Sequence, residues 1–561
     1  MKEEILKQYE LWCEKTKSNK EMNEALLAIK EDERAIEDAF YRNLEFGTGG
    51  LRGVIGAGTN RMNIFTVAKA SQGLAEYVVS SFEGDLRKIA ISYDSRIKSD
   101  VFARVAAGVF AANGIKVFMY SELMPTPCLS FAVRELGCAA GIMVTASHNP
   151  AKYNGYKVYG SDGCQITTAA AAEILEKIEQ VDIFDGIKQV DFEAGIASGQ
   201  IEYIAEAVYS KFIEEIKKQS LLTENDSVDK NVAIVYSPLN GTGLKPVTRA
   251  LKEMGYTNST VVEEQRLPDG NFPTCPYPNP EIKEAMSLGM EYAKKNNADL
   301  LIATDPDCDR VGIAVKNSEG EYVLLSGNET GCLLLDYICS MRIRNNTMPK
   351  EPVAVKTIVT SDLGQKIATK YGVETKNVLT GFKFIGEQIG FLEQLNKSEN
   401  YIFGFEESFG YLSGSYVRDK DAVNGATLIC EMFAYYKSKG ISLLEKLEEL
   451  YKEHGYYLNS LYSYEFEGAD GMVKMQHIMD SFRTADNPVP GFLVERVEDF
   501  NQGLYGLPKS NVIKFYFEGD ISLVVRPSGT EPKIKLYISI NCENRDQAKN
   551  IEKELLAAVN M

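Results

Sequence analysis

The feature that most constrains the fold is an alternation of short apolar runs with helical stretches of about 12–18 residues. Runs of this kind lie at Lys88–Tyr93, Lys116–Tyr120, Ile142–Thr145, Val232–Tyr236, Leu300–Thr304 and Val353–Val359. Strands that alternate with helices along the chain form mostly parallel sheets, whose faces are covered by the helices. The alternation therefore predicts an α/β fold.

Three of the runs resemble one another. The segments KIAISYDSR, NVAIVYSPLNGTG and EPVAVKTIVTSDLG each end a strand in a polar turn and then begin a helix. We predict that they are equivalent strands of three similar α/β domains with mixed, mostly parallel sheets; the alternative is the ordinary repetitiveness of any α/β protein. The last hundred residues differ, because β-rich pieces at Val512–Phe517, Ile521–Arg526 and Lys533–Ile540 precede one charged helix. They predict a smaller C-terminal α+β domain, and the four domains are expected to surround a central cleft.

The length of 561 residues corresponds to three or four domains at about 150 residues each. Residues 1–40 carry Leu, Ile, Tyr and Trp among Glu and Lys at helical spacing, which predicts an N-terminal helical extension. The polar stretch Lys217–Lys230 is typical of a linker. The predicted domains are 41–220, 221–325, 326–455 and 456–561.

Composition excludes several partners and locations. The net charge of −18 repels nucleic acid and anionic membrane surfaces, so we expect neither as a partner. No run reaches the roughly 18 apolar residues of a membrane-spanning helix, and the charged N-terminus lacks the apolar core of a signal peptide. Ten scattered cysteines without a C-x-x-C pair favour reduced thiols in the cytoplasm. Whether the protein is a monomer or a homo-oligomer is left open.

The segment Gly141–Pro150 (GIMVTASHNP) places Ser147 where an apolar strand ends. A hydroxyl at the carboxyl end of a parallel strand is well placed for chemistry, although a turn serine that caps a helix gives the same pattern. The elbow G-x-S-x-G of serine hydrolases is absent from the sequence. Walker A and G-x-G-x-x-G motifs are also absent, which disfavours ATP-dependent and dinucleotide chemistry.

The segment Leu300–Val315 places Asp305, Asp307 and Asp309 between two apolar strands. Three carboxylates at alternate positions of a tight loop can converge on one hard cation such as Mg²⁺. An EF-hand loop is excluded, because Arg310 stands where that loop requires glycine. A solvated acidic turn is the alternative, and the flanking apolar strands disfavour it.

Two further loops carry binding groups. Phe403–Gly410 (FGFEESFG) places two carboxylates and a hydroxyl between glycines, a set that can bond sugar hydroxyls. Arg526–Lys535 (RPSGTEPKIK) offers a guanidinium, hydroxyls and backbone N–H groups, which suit a phosphate dianion. A Pro- and Gly-rich hairpin turn is the alternative for the second loop.

In this order, the motifs T-A-S-H-N-P, D-x-D-x-D-R, E-E-S-F-G and R-P-S-G-T-E-P closely resemble those of the α-D-phosphohexomutase superfamily. The resemblance covers roughly residues 42–537, and Gly47–Gly53 (GTGGLRG) is similar to the family's first-domain loop. It implies that Ser147 is a phosphoserine and that one Mg²⁺ is held by its phosphate oxygen and by the three aspartates. It also implies substrate-binding roles for Arg310, Lys383, Glu406, Ser408, Arg526, Ser528, Gly529 and Thr530.

The resemblance further implies catalytic roles for Ser147, Lys157, Arg52 and His148. Lys157 is expected to act as general acid and base, which requires that nearby cations such as Arg52 lower its pKa. His148 either orients the phosphoserine or only satisfies a turn. Lys383 and Arg52 are expected to line the same cleft.

The implied activity interconverts α-D-glucose 1-phosphate and glucose 6-phosphate, with glucose 1,6-bisphosphate as intermediate and activator. Thr380–Gly386 (TGFKFIG) favours this phosphoglucomutase activity, whereas Phe405, Pro306 and Cys308 depart from its commonest pattern. Phosphomannomutase and phosphopentomutase activities therefore stay as alternatives. A non-catalytic phosphosugar-binding or scaffolding relative is disfavoured, because Ser147, the three aspartates and Lys157 are all present.

Overall fold

The structure is a computed structural model that describes residues 3–47, 49–466, 469–485, 487–527 and 533–559. The chain begins with three helices, α1 (Glu3–Lys15), α2 (Lys20–Ala28) and α3 (Glu33–Phe40). Trp12 of α1 is fully buried, and its ring lies 5.6 Å from that of Phe65 and 5.4 Å from that of Phe184. The helical extension therefore packs on the outside of the first sheet's helices.

The first sheet has seven strands and six accompanying helices. Its strands are β1 (Phe46–Gly47), β2 (Gly50–Val54), β3 (Lys88–Tyr93), β4 (Lys116–Met119), β5 (Ala140–Val144), β6 (Tyr153–Gly160) and β7 (Ile201–Tyr203). Its helices are α4 (Ile64–Ser81), α5 (Ser99–Ala112), α6 (Thr126–Glu135), α7 (Thr168–Gln180), α8 (Phe192–Ala197) and α9 (Glu206–Lys217). The spatial order is β1-β2-β6-β5-β3-β4-β7, with parallel pairing from β5 to β7 and antiparallel pairing from β5 to β1.

The second and third sheets repeat this plan on a smaller scale. The second contains β8 (Ile234–Ser237), β9 (Ser259–Val261), β10 (Leu300–Thr304), β11 (Val311–Lys316) and β12 (Tyr322–Leu325), with α10 (Leu244–Glu253) and α11 (Lys283–Lys295). The third contains β13 (Val353–Thr357), β14 (Glu374–Val378), β15 (Tyr401–Glu406) and β16 (Gly410–Leu412). Its helices are α12 (Gly327–Arg344), α13 (Leu363–Lys370), α14 (Phe382–Gln394), α15 (Ala422–Ser438) and α16 (Leu443–His454).

The fourth sheet is entirely antiparallel, in contrast to the other three. It contains β17 (Tyr456–Glu465), β18 (Val494–Asp499), β19 (Ile513–Phe517), β20 (Ile521–Pro527) and β21 (Lys533–Cys542), with helices α17 (Ala469–Thr484) and α18 (Arg545–Ala558). The spatial order is β17-β21-β20-β19-β18. It has an apolar core of its own, which includes Met479, Phe515 and Leu523. Three α/β domains and this antiparallel domain confirm the predicted fold class.

The three strands that the sequence identified as similar occupy equivalent places. Strands β3, β8 and β13 each lie between two parallel neighbours, which are β5 and β4, β10 and β9, and β15 and β14. Strands β5 and β10 are buried along their whole length, as central strands of helix-covered sheets are. The prediction that these three segments are equivalent strands of three similar domains is therefore confirmed.

The same repeat positions three turns. Strands β5, β10 and β15 each pair antiparallel with the next strand of the chain, which is β6, β11 and β16 respectively. The connecting turns carry the first three motifs, and we call them the serine turn (145–152), the aspartate turn (305–310) and the glutamate turn (407–409). The sheets lie at residues 46–203, 234–325, 353–412 and 456–542, and we propose 41–220, 221–325, 326–455 and 456–561 as the domain boundaries. Among the helices of the described ranges, none is long and apolar enough to cross a membrane.

Candidate active site

The three equivalent turns each contain one residue in the left-handed backbone region. These residues are Ser147 (φ 54°), Cys308 (φ 51°) and Phe409 (φ 65°). A left-handed conformation is unfavourable for residues with a side chain, and such strain is concentrated at functional sites. The surrounding structure must therefore hold all three turns in place.

The serine turn and the aspartate turn meet directly. Ser147 is buried, and its hydroxyl donates to Asp305 Oδ2 at 3.0 Å and lies 3.3 Å from His148 Nδ1. The backbone N–H of Ser147 donates to the Thr145 hydroxyl at 2.8 Å. Burial and the Arg310 and Arg52 guanidiniums hold the pKa of His148 well below its usual range. The structure thus brings together the serine and the aspartates that the sequence predicted as one site.

The three aspartates form a compact cluster of buried carboxylates. Each offers one oxygen, and these oxygens lie within 4.8 Å of one another. Asp305 Oδ1 accepts the backbone N–H groups of Asp309 at 3.1 Å and Arg310 at 3.0 Å. Among the described residues, Asp307 Oδ1 and Asp309 Oδ1 have no hydrogen-bond partner although both are buried. Such an all-oxygen donor set fits a hard divalent cation.

Two ammonium groups compensate this negative charge. Lys157 Nζ lies 2.9 Å from Asp307 Oδ2 and 3.5 Å from Asp309 Oδ2, and Lys420 Nζ lies 2.8 Å from Asp309 Oδ2. Burial alone would raise the pKa of Asp307, but the Lys157 ammonium, a hydrogen bond with Asp305 and the Lys420 ammonium together outweigh burial and lower it. Asp305 has a raised pKa because of burial and of the other two carboxylates. The three aspartates therefore form a site of concentrated negative charge that binds cationic groups.

The expectation that the pKa of Lys157 is lowered is wrong. Burial does lower it, but the carboxylates of Asp307 and Asp309 outweigh burial and raise the pKa of Lys157 above its usual value. Arg52, which was expected to lower it, is an exposed residue at the rim. The direction of the pKa shift of Lys157 is set by the nearest charged groups, which are the carboxylates of Asp307 and Asp309.

A cavity of about 550 Å³ opens over the serine turn and is lined by residues of all four domains. Predicted site residues that line it are Arg52, Ser147, His148, Lys157, Arg310, Glu406, Ser408 and Arg526. Lys383 and the three aspartates are not among the lining residues. The Lys383 ammonium lies 5.2 Å from the ring centroid of the neighbouring Phe384. Ser528, Gly529 and Thr530 lie outside the described residues.

The end of β15 and the glutamate turn supply two carboxylates to the lining of the cavity. Glu406 is buried and its Oε1 accepts the N–H of Gly381 at 3.1 Å. Burial raises the pKa of Glu406 to about 7, although the nearby Lys420 ammonium opposes the shift. Glu407 Oε2 accepts the hydroxyls of Thr357 and Thr360, each at 3.2 Å. Both glutamates line the cavity, and Glu407 is in addition held by the end of β13 and the turn that follows it.

Sequence reasoning missed several residues of the cavity, among them Lys420, Glu281 and Lys535. Glu281 Oε1 pairs with the Arg310 guanidinium at 3.0 Å, and nothing in its local sequence predicted this contact. Lys535 lies on β21 opposite Arg526 of β20, and burial together with that guanidinium lowers the pKa of Lys535. The alternation of β21 could have placed Lys535 beside the predicted phosphate loop.

Comparison with known proteins agrees with this architecture. The family descriptions "Phosphoglucomutase/phosphomannomutase, alpha/beta/alpha domain" I, II and III match residues 43–183, 210–320 and 326–454. A phosphoglucomutase of Staphylococcus aureus is 39% identical over 96% of both chains. One of Staphylococcus saprophyticus is 38% identical over 90% of this chain and 92% of its own.

Solved structures share the fold at lower identity. A phosphoglucomutase/phosphomannomutase family protein of Burkholderia thailandensis has a TM-score of 0.68 at 17% identity, covering 91% of this chain and 96% of its own. The exocytosis-sensitive phosphoprotein parafusin of Paramecium, a phosphoglucomutase, has a TM-score of 0.68 at 18% identity, covering 92% and 95%. With the four domains, the ordered motifs and these relatives, the chain belongs to the phosphoglucomutase/phosphomannomutase family of the α-D-phosphohexomutase superfamily.

Proposed function

We propose that the protein is an isomerase that interconverts α-D-glucose 1-phosphate and glucose 6-phosphate through a phosphoserine and a glucose 1,6-bisphosphate intermediate. The observation that carries the proposal is the Ser147 hydroxyl in a four-domain cavity, 3.0 Å from the carboxylate of Asp305. The phosphoglucomutases that are 38–39% identical to nearly the whole chain support glucose phosphate as the substrate.

The reaction moves a phosphoryl group between oxygens. The bond between phosphorus and Ser147 Oγ breaks while a bond to a sugar hydroxyl forms; that hydroxyl loses a proton and the serine oxygen gains one. The bisphosphate then reorients in the cavity so that its other phosphate faces Ser147. Ser147 recovers a phosphoryl group from that end of the sugar. Catalysis of this kind depends mainly on positioning and on neutralising the equatorial phosphoryl oxygens. The net result is an isomerisation without loss of phosphate.

The aspartate cluster is the proposed site of one Mg²⁺. Asp305, Asp307 and Asp309 would hold it together with the phosphate on Ser147. Among the described residues, Asp307 Oδ1 and Asp309 Oδ1 accept no hydrogen bond, which supports this assignment. When bound, the ion would supply positive charge to the phosphoryl oxygens. Lys157 and Lys420 form ion pairs with the same carboxylates.

Proton transfer is assigned to cavity lysines. Lys157 and Lys420 both line the cavity beside the aspartate turn, and each is a candidate acid or base for the sugar hydroxyl. His148, with Nδ1 3.3 Å from Ser147 Oγ, is placed to orient the serine oxygen. Arg52 would neutralise the phosphoryl group from the rim.

The remaining contacts concern the sugar and the phosphate that is not transferred. Glu406 and Ser408 are proposed to bind sugar hydroxyls, and Arg310 with Arg526 to bind phosphate through guanidinium forks. Lys383, Ser528, Gly529 and Thr530 keep the substrate-binding roles that the motifs imply. The cationic side chains that line the cavity offset the overall charge of −18 locally. Ten free cysteines are compatible with the proposed cytoplasmic location.

The proposal is tested by incubating the protein with glucose 1,6-bisphosphate and measuring its intact mass and mutase activity. The wild-type protein should gain one phosphoryl group, and Ser147→Ala should lose both the label and turnover. Ser161→Ala, at an exposed position in another turn, serves as the matched control and should keep both. Full activity of Ser147→Ala would contradict the phosphoserine, whereas an unlabelled and inactive wild type would favour a non-catalytic phosphosugar-binding relative.

A panel of sugar 1-phosphates distinguishes the alternative substrates. The departures at Phe405, Pro306 and Cys308 from the commonest pattern are the reason to include mannose and ribose phosphates. Glucose 1-phosphate should give the highest kcat/KM. A higher value for mannose or ribose 1-phosphate would overturn the choice of sugar without affecting the mechanism.

A further inference from the structure

A buried arginine lies beneath the serine turn and bonds its backbone from one side. Arg96 is 3% exposed, and its Nη1 donates to the carbonyls of Pro150 at 3.0 Å and Tyr153 at 3.1 Å. Its Nη2 donates to the carbonyls of Ser147 and Asn149. One planar guanidinium therefore binds three carbonyl groups of the serine turn and the carbonyl of the first residue of β6.

Asp94 holds this guanidinium and the serine turn at the same time. Asp94 Oδ2 lies 3.3 Å from Arg96 Nε, and both side chains are fully buried. The same carboxylate accepts the Thr145 hydroxyl at 2.6 Å, and that hydroxyl oxygen accepts the N–H of Ser147 at 2.8 Å. Asp94 Oδ1 accepts the Ser99 hydroxyl at 2.7 Å, which ties the cluster to the start of α5. The carbonyl of Ser147 is thus fixed by Arg96 directly, and its N–H is fixed by Asp94 through the Thr145 hydroxyl.

We infer that Arg96 is a positioning residue that holds Ser147 in its left-handed conformation and so directs Ser147 Oγ toward Asp305. A left-handed residue with a side chain persists only where its surroundings enforce it, and here four carbonyl bonds and the Thr145 bond do so. A lysine would keep the charge beside Asp94, but an ammonium lacks the planar fork that reaches several carbonyls. The role in catalysis rests on the proposed function of Ser147.

The test compares Arg96→Lys with Arg87→Lys in the holoenzyme with Mg²⁺. Arg87 lies just before β3, at the opposite end of that strand, and its guanidinium likewise donates to two carbonyls, those of Phe82 at 2.8 Å and Val79 at 2.9 Å. Arg96→Lys should lower kcat and the rate of phosphoryl transfer to Ser147 about a hundredfold, because a shift of about 1 Å costs that much. KM should stay within about threefold, since the sugar-binding groups are untouched. Arg87→Lys should leave kcat unchanged.

A second pair of variants covers the case in which Arg96→Lys does not fold. Thr145→Val keeps the shape of the side chain but removes the acceptor for the Ser147 N–H, and kcat should fall about tenfold or more. Thr145→Ser keeps the hydroxyl and should restore most of the rate. A folded Arg96→Lys, or failing that Thr145→Val, with wild-type kcat would overturn the inference. Failure of the proposed function is recognised separately, because the wild-type protein would then take up no phosphoryl group from glucose 1,6-bisphosphate.

Discussion

Gly327 offers a sharp test of whether the position of the glutamate turn matters for turnover. This residue begins α12 and lines the cavity, and a Cβ atom there would lie 2.0 Å from the carbonyl oxygen of Glu407 and 2.8 Å from the N–H nitrogen of Phe409. Both contacts are with backbone, so no side-chain rotation relieves them. Gly327→Ala must therefore displace the glutamate turn or the start of the helix.

The size of the effect follows from the overlap. A carbon–oxygen separation of 2.0 Å must open to about 3.5 Å, so the turn and the start of α12 must separate by about 1.5 Å. This separation displaces Ser408 in the turn and disturbs the adjoining Glu406, and a misplacement of about 1 Å costs about a hundredfold in rate. We expect kcat/KM for glucose 1-phosphate to fall by that factor, which is about 2.7 kcal/mol of transition-state stabilisation.

The assay is steady-state conversion of glucose 1-phosphate, with circular dichroism and thermal unfolding to show that the variant is folded. Gly390→Ala is the matched control, because this glycine lies inside α14 and a Cβ atom there meets nothing within 4 Å. It should keep wild-type kcat/KM and gain about 0.5–1 kcal/mol of stability. A folded Gly327→Ala whose kcat/KM is within about twofold of wild type would refute the role assigned to the turn.

Three further predictions concern the metal, a carboxyl group and the N-terminal helices. Asp307→Asn should raise the Mg²⁺ concentration for half-maximal activity about tenfold or more, and an unchanged titration would contradict the metal site. The pKa of Glu406 is about 7 in the folded protein against 4.5 ordinarily, so its stabilising contribution is complete at acidic pH and is lost as pH rises through 7. Urea unfolding from pH 5 to pH 8 should therefore show a decline for wild type relative to Glu406→Gln, and parallel curves would contradict the shift. Trp12→Ala should lower the free energy of unfolding by about 3–5 kcal/mol, and a loss below about 1 kcal/mol in chemical denaturation would show that the extension is not packed on the first domain.

Much of the fold could be predicted because its signals are local. The apolar runs at Lys88–Tyr93 and Leu300–Thr304 are strands with those same bounds, since buried parallel strands are continuous in sequence and apolar on both faces. The helices within residues 1–40 could likewise be predicted, because helical spacing depends only on residues that are close together along the chain. The joining of Ser147 to Asp305 could be expected because both follow strands whose carboxyl ends face a common cleft.

Charge relations between domains could not be predicted in this way. The pKa of Lys157 depends on Asp307 and Asp309, which belong to another sheet and lie far away in sequence. The spacing of residues along the chain does not predict that Lys157 Nζ lies 2.9 Å from Asp307 Oδ2. It also does not predict that Lys420 Nζ lies 2.8 Å from Asp309 Oδ2. Arg52 was chosen as the neighbour of Lys157 from a motif alone, and the carboxylates that face the ammonium reverse the expected direction.

The repeat nevertheless contained a signal for the residues that hold the three turns. In each α/β domain, the polar segment that follows β3, β8 or β13 forms hydrogen bonds with the serine, aspartate or glutamate turn of the same domain. After β3, Arg96 donates to the serine turn; after β8, Thr242 donates its N–H at 2.8 Å and its hydroxyl at 3.0 Å to the carbonyl of Pro306. After β13, Thr360 donates its hydroxyl to Glu407 at 3.2 Å. The polar ends of the three similar sequence segments therefore stabilise the three turns that contain a left-handed residue. Each repeated unit contains both a turn with predicted site residues and the segment that holds this turn in place.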